Sequence, residues 1–143
     1  MGLICRWIGW GRIGGMEREL VAALEPVLRD LARPGGVLPE IRDETWSDIP
    51  GTASAMLYAA DGSGMGVSVD LGLAVPARIA GVADQVQEWA VEALWSLHRP
   101  TNWPPCPHHP GRHPLAAVEG GGRAVWVCPA DRAEVSEIGG LAA

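Results

Sequence analysis

The chain has 143 residues, a formal net charge of −6 and a hydrophobic fraction of 48%, which suits one soluble domain or one small core with an appendage. All eleven basic residues are arginine, with no lysine and no phenylalanine, a pattern of GC-rich coding rather than a selected phosphate-binding set. Residues 40–92 hold nine acids against two arginines, which opposes nucleic-acid binding over the middle of the chain.

Residues 1–15, M-G-L-I-C-R-W-I-G-W-G-R-I-G-G, are apolar and free of acids. They are too short and interrupted for a membrane span, and they lack the long apolar run and cleavage site of a signal peptide. Myristoylation is disfavoured by Arg6 at the sixth position. The segment reads as an apolar arm that docks on a partner, or as a mis-assigned start upstream of Met16. The second reading is slightly favoured, because a free apolar arm invites aggregation.

From Met16 to Arg33, Leu20, Leu24, Val27, Leu28 and Leu31 recur at helical spacing, with Pro26 expected to kink or split the run. Pro34-Gly35-Gly36 ends it. A short strand is expected around residues 40–46. Residues 52–71 form the best hairpin, since Val67, Val69 and Leu71 alternate with Ser68 and Asp70 beyond a turn at Asp61-Gly62-Ser63-Gly64. That turn is no phosphate loop: no Gly-Lys-Ser/Thr follows, and it joins two strands rather than opening a helix. Asp61 and Asp70 read as turn and surface residues. A long helix spans about residues 76–98, with Pro76 at its start and Pro100 beyond its end. Trp95 and Trp103 bracket that end, more in the manner of a lid than of a binding platform.

The most specific chemistry follows, in C-P-H-H-P-G-R-H-P-L and W-V-C-P. Cys106, His109, His113 and Cys128 form a mixed thiolate and imidazole set of the kind that suits tetrahedral zinc. Pro107 turns the first arm, and the apolar run Arg123–Val127 delivers Cys128 from the other side. Three of the four histidines fall within six residues beside one of the three cysteines. Other readings are surface histidines beside ordinary buried thiols, or a Cys106–Cys128 disulfide, which would leave Cys5 over. Asp131 mirrors the spacing of His109 and could replace His113 as fourth ligand, while His108 is expected to point away. Four good ligands close the shell. With neither H-E-x-x-H nor H-x-E ahead of P-C-x-x-C, the expectation is a structural Zn2+ ion, no catalytic residues and no enzyme.

Trp103-Pro-Pro-Cys-Pro-His-His109, with His113-Pro-Leu115, Trp126-Val-Cys-Pro129 and Ile138-Gly-Gly-Leu141, resembles small uncharacterised zinc-ribbon-like proteins of high-GC Gram-positive bacteria and their phages. The resemblance covers the chain from Trp103 to Leu141 and, more weakly, the helix before it. It implies a metal-bound protein, cytoplasmic or phage-associated, and carries no activity or substrate.

The expected architecture is α+β, with two helices on a small antiparallel sheet and a C-terminal zinc-ribbon-like lobe. Residues 1–15 are the arm or mis-assigned start, 16–100 the α+β core and 101–143 the lobe. Within the lobe, Leu115–Val118 and Arg123–Val127 are expected to pair through a four-residue loop, Glu119–Gly122. The function expected is a non-enzymatic interaction module stabilised by zinc, with a protein partner or self-association, one form of which is a phage or prophage assembly component. Nucleic-acid binding is the alternative, supported only by four dispersed arginines (Arg99, Arg112, Arg123, Arg132). An enzyme with an unrecognised site is the other.

Overall fold

The computed structural model describes residues 16–142, so both readings of residues 1–15 lie outside the described residues. Among the described residues the first helix, α1 (Arg18–Leu31), buries Leu20, Leu24, Val27, Leu28 and Leu31 along one face. Each such side chain contributes about 1.5–3 kcal/mol when fully buried, which together outweigh the roughly 3 kcal/mol cost of an interior proline. Pro26 therefore lies inside one continuous helix instead of splitting it. The carbonyl it leaves without a helical donor belongs to Ala22, which is exposed to solvent,.

Three antiparallel strands follow, β1 (Glu40–Arg42), β2 (Thr52–Tyr58) and β3 (Gly64–Asp70), in that spatial order. Ala53 pairs with Val69 and Ala55 with Val67, while Ile41 pairs with Leu57. All six are buried. The strand expected over residues 40–46 stops at Arg42. Beyond it the Trp46 indole N–H donates to the carbonyls of Ala55 (2.9 Å) and Val67 (3.3 Å). Its ring lies so close over Gly66 that a Cβ there would come within 2.5 Å. Asp61 lies in the turn and exposed Asp70 ends β3, accepting from the backbone N–H groups of Ser63 (2.9 Å) and Gly72 (2.8 Å) respectively.

The second helix, α2 (Val75–Ser96), packs against α1, β3 and the C-terminal strands. Pro76 is its second residue, where the missing N–H costs nothing. At its end His98 adopts φ +56°, while the His98 N–H donates to Trp95 O and the Arg99 N–H to Leu94 O, both at 3.0 Å. This paired closure satisfies carbonyls that the helix leaves open. Gln85 faces the outer edge of β3: its Oε1 accepts from Ser68 N–H (2.9 Å) and its Nε2 donates to Ser68 O (2.8 Å). One amide thus occupies two ladder groups that would otherwise invite another strand.

The C-terminal part holds β4 (Ala116–Gly120), β5 (Arg123–Val127) and β6 (Glu134–Glu137), antiparallel and in that order. Gly120 pairs with Arg123, so the connection is a two-residue turn, not four. Gly121 and Gly122 have φ +61° and +75°, the left-handed pair that matches the twist of a tight hairpin. The third strand is not evident in the sequence, because E-V-S-E offers only one apolar residue. The fold is mixed α+β, with two helices and two three-stranded antiparallel sheets among the described residues. One apolar cluster joins α1, α2 and both sheets, from Leu20 and Val67 to Leu115, Trp126 and Cys128. No helix among the described residues is long and apolar enough to cross a membrane.

Candidate metal centre

Two loops carry the clustered cysteines and histidines. The neck of the first is closed by Leu115 N–H to Pro104 O (2.7 Å) and Cys106 N–H to His113 O (3.4 Å). Gln87 of α2 grips both sides of that neck, donating from Nε2 to Trp103 O (3.2 Å) and Leu115 O (2.6 Å). Inside the loop, Arg112 N–H donates to His109 O (3.1 Å), and Gly111 takes φ +74°. The chain doubles back there, so His109 and His113 turn towards Cys106.

The second loop leaves β5 at Cys128. Cys128 N–H donates to Ala133 O (2.9 Å) and Arg132 N–H to Cys128 O (2.8 Å), with Arg132 at φ +64°. The loop is seated on the core through Trp126, which is fully buried. Trp126 meets Trp103 edge to face, with centroids 5.7 Å apart, and its indole N–H donates to Asp30 Oδ2 at 2.8 Å. Trp103 is thus part of the joint between lobe and helices. Trp95 is not, being 72% exposed.

The structure brings Cys106, His109, His113 and Cys128 together, positioned to hold a metal ion. Both thiols are free and buried, which removes the disulfide reading. His109 Nδ1 lies 3.7 Å from Cys106 Sγ, 3.4 Å from Cys128 Sγ and 3.2 Å from His113 Nε2, and His113 Nε2 lies 3.8 Å from Cys128 Sγ. A tetrahedral zinc shell with Zn–S of about 2.3 Å and Zn–N of about 2.0–2.1 Å has edges of about 3.6 Å between N and S and about 3.3 Å between two N atoms. The donor types suit such an ion, and the four measured edges are close to those of its shell, with all four donor atoms within 4.8 Å of one another. His113 Nδ1 lies 3.0 Å from Pro114 O, a contact that places the ring proton on Nδ1 and leaves the Nε2 lone pair facing the cluster.

Burial pushes the Cys128 thiol above its ordinary pKa, opposed by the backbone N–H groups of Asp131 and Ala130 pointing at its sulfur. Those N–H groups favour the thiolate, but burial outweighs them, so the metal-free sulfur is favoured as the thiol,. Asp131 is displaced downward, first by the N–H of Ala133 and then by Cys128.

His108 stands outside this four-donor group, with its Nδ1 3.5 Å from Asp131 Oδ2 and both side chains partly exposed. Asp131 is more than a solvated carboxylate, since its Oδ1 also accepts from Ala133 N–H at 2.8 Å. Glu119 is exposed on β4. Two supporting residues are not singled out by the sequence, Gln87 and Asp30. Their spacing within α2 and α1 is ordinary for a helix, and nothing local distinguishes a clamp from a surface polar residue. No protein-family model, curated protein or solved structure matches the chain.

Proposed function

We propose that Cys106, His109, His113 and Cys128 hold a structural zinc ion and that the zinc-ribbon-like lobe so fixed serves as a protein-interaction module rather than an enzyme. The observation that carries this reading is the spacing of the four donor atoms, 3.2–3.8 Å along the measured edges. Two thiolates and two imidazoles suit zinc, and four protein donors leave no position for a reactive water. Free thiols acting as ligands accord with a reducing, cytoplasmic setting.

An interaction role draws support from apolar side chains left in solvent. Ile49 and Leu73 are 64% and 45% exposed, on two loops joined where Leu71 N–H donates to Gly51 O (2.8 Å), and Val75, the first residue of α2, is 57% exposed. Exposed apolar groups gathered at one end of a domain suit a protein partner or a second copy. The nucleic-acid alternative is weakened by Arg123, one of the lobe's few cations, which is engaged by Glu134 at 3.0 Å and Glu137 at 2.9 Å.

Metal analysis of the full chain purified under zinc-replete conditions tests the centre. The expected result is about one tightly held zinc per chain, with loss of fixed tertiary structure in the lobe on chelation. A preparation without bound zinc overturns the metal reading. Zinc-dependent turnover with a water among the ligands overturns the structural one.

A further inference from the structure

We propose that Cys128, His108 and Asp131 form a second, more exposed site for a divalent ion of the zinc class, sharing the Cys128 sulfur with the buried centre. This inference rests on the reading of Cys106, His109, His113 and Cys128 as a zinc centre. The three donor atoms lie within 4.8 Å of one another. The separation of His108 Nδ1 from Asp131 Oδ2, 3.5 Å, is close to the N···O edge of about 3.4 Å in a tetrahedral zinc shell.

The local chain explains why these groups meet. His109 turns inward, so its neighbour His108 is left on the outer side of the same loop. Asp131 lies three positions beyond Cys128, in the turn closed by Arg132 N–H to Cys128 O. Its Oδ1 is tied to Ala133 N–H at 2.8 Å, which leaves Oδ2 directed at His108. The sulfur between the two sites is fully buried, and a thiolate has lone pairs enough to bridge two cations.

A simple ion pair explains the arrangement less well. At 3.5 Å the contact is at the limit of a hydrogen bond, and exposed pairs contribute little. One thiolate, one imidazole and one carboxylate are instead a ligand set found in zinc sites. With three protein donors and the rest of the shell open to water, this site fills at higher free zinc than the four-donor centre.

The test is zinc titration of the full-length, singly loaded protein, followed by native mass spectrometry and calorimetry, with His108→Ala and Asp131→Asn alongside. The wild type should take up a second zinc, and each variant should keep the first ion while losing affinity for the second by about tenfold or more. With cobalt as probe, the second ion should add thiolate-to-cobalt charge-transfer absorption, because Cys128 serves both. Uptake of one ion only, at any zinc concentration the protein tolerates, overturns the second site while leaving the first intact. A second ion that both variants retain, or a second cobalt without added thiolate absorption, overturns it as well. Absence of the first tightly held ion defeats the buried centre and this inference together.

Discussion

The Asp30 carboxylate on α1 accepts a hydrogen bond of 2.8 Å from the indole N–H of Trp126, ninety-six positions later, and both side chains are fully buried. The same carboxylate accepts from Gly139 N–H at 2.6 Å and Leu141 N–H at 3.1 Å. One side chain thus ties the strand that delivers Cys128 and the last residues of the lobe to the first helix. Asp30→Ala strands three donors, and unfolding in urea should show a loss of about 3 kcal/mol or more. Asp30→Asn keeps acceptor capacity and should lose less. Equal stability of wild type and Asp30→Ala would show that the tail docks by apolar contact alone.

Gly139 is placed against the same helix. It has φ +102°, and a Cβ there would come within 2.8 Å of Pro26 Cβ. Pro26 and Asp30, one turn apart, therefore receive the tail as a matched surface and hydrogen-bond acceptor. Gly139→Ala should destabilise by about 1–3 kcal/mol through steric overlap and a disfavoured backbone. A melting temperature unchanged from wild type would count against that fit.

Ligand substitutions should separate the two roles of the histidine cluster. Cys106→Ser, Cys128→Ser, His109→Ala and His113→Ala should each lower retained zinc sharply, whereas His108→Ala should keep the tightly bound ion. Inductively coupled plasma analysis after gel filtration reads this directly. Retention in His109→Ala together with loss in His108→Ala would reverse the assignment of the two neighbours.

The pH dependence of the centre follows from Cys128. Burial raises its pKa, so folding of the metal-free chain favours the thiol, and that part of its stability is lost as pH rises through the folded-state value. Metal binding requires the thiolate and expels the proton, so zinc affinity should rise with pH and zinc should be released on acidification. Calorimetry in buffers of different ionisation enthalpy should detect net proton release on zinc binding at neutral pH. Proton uptake would contradict the sign.

His98 offers a test of the long helix. It holds φ +56° at the closing turn of α2, a conformation that costs a residue with a Cβ about 1–2 kcal/mol. His98→Gly should therefore raise stability by about 1 kcal/mol, visible as a shift of the denaturation midpoint at constant slope. A drop in stability would mean that the imidazole makes a compensating contribution.

Much of the site is legible in the sequence because its ligands are local. Cys106, His109 and His113 fall within one loop, and an apolar strand points to Cys128. Helical periodicity around Leu20–Leu31 and alternation around Val67 and Val69 likewise report which faces are buried, so both helices and the first hairpin can be placed. The extent of Pro26's effect could not be read this way, because a local penalty is set against burial by residues far along the chain. Nor could β6, whose single apolar residue, Val135, leaves no alternation to detect.

What pattern and composition established is a mixed α+β chain with four metal-type donors near its end. Folding supplied the attachments: Gln85 across the edge of β3, Gln87 at the neck of the first loop and Asp30 beneath Trp126. These are polar contacts made between distant elements, and a lone glutamine or aspartate on a helix has the same local signature whether it faces water or a buried N–H. Periodicity records the burial of many apolar side chains at regular intervals. A single polar partner leaves no period, so the residues that seat the metal loops on the core emerge only once the chain is packed.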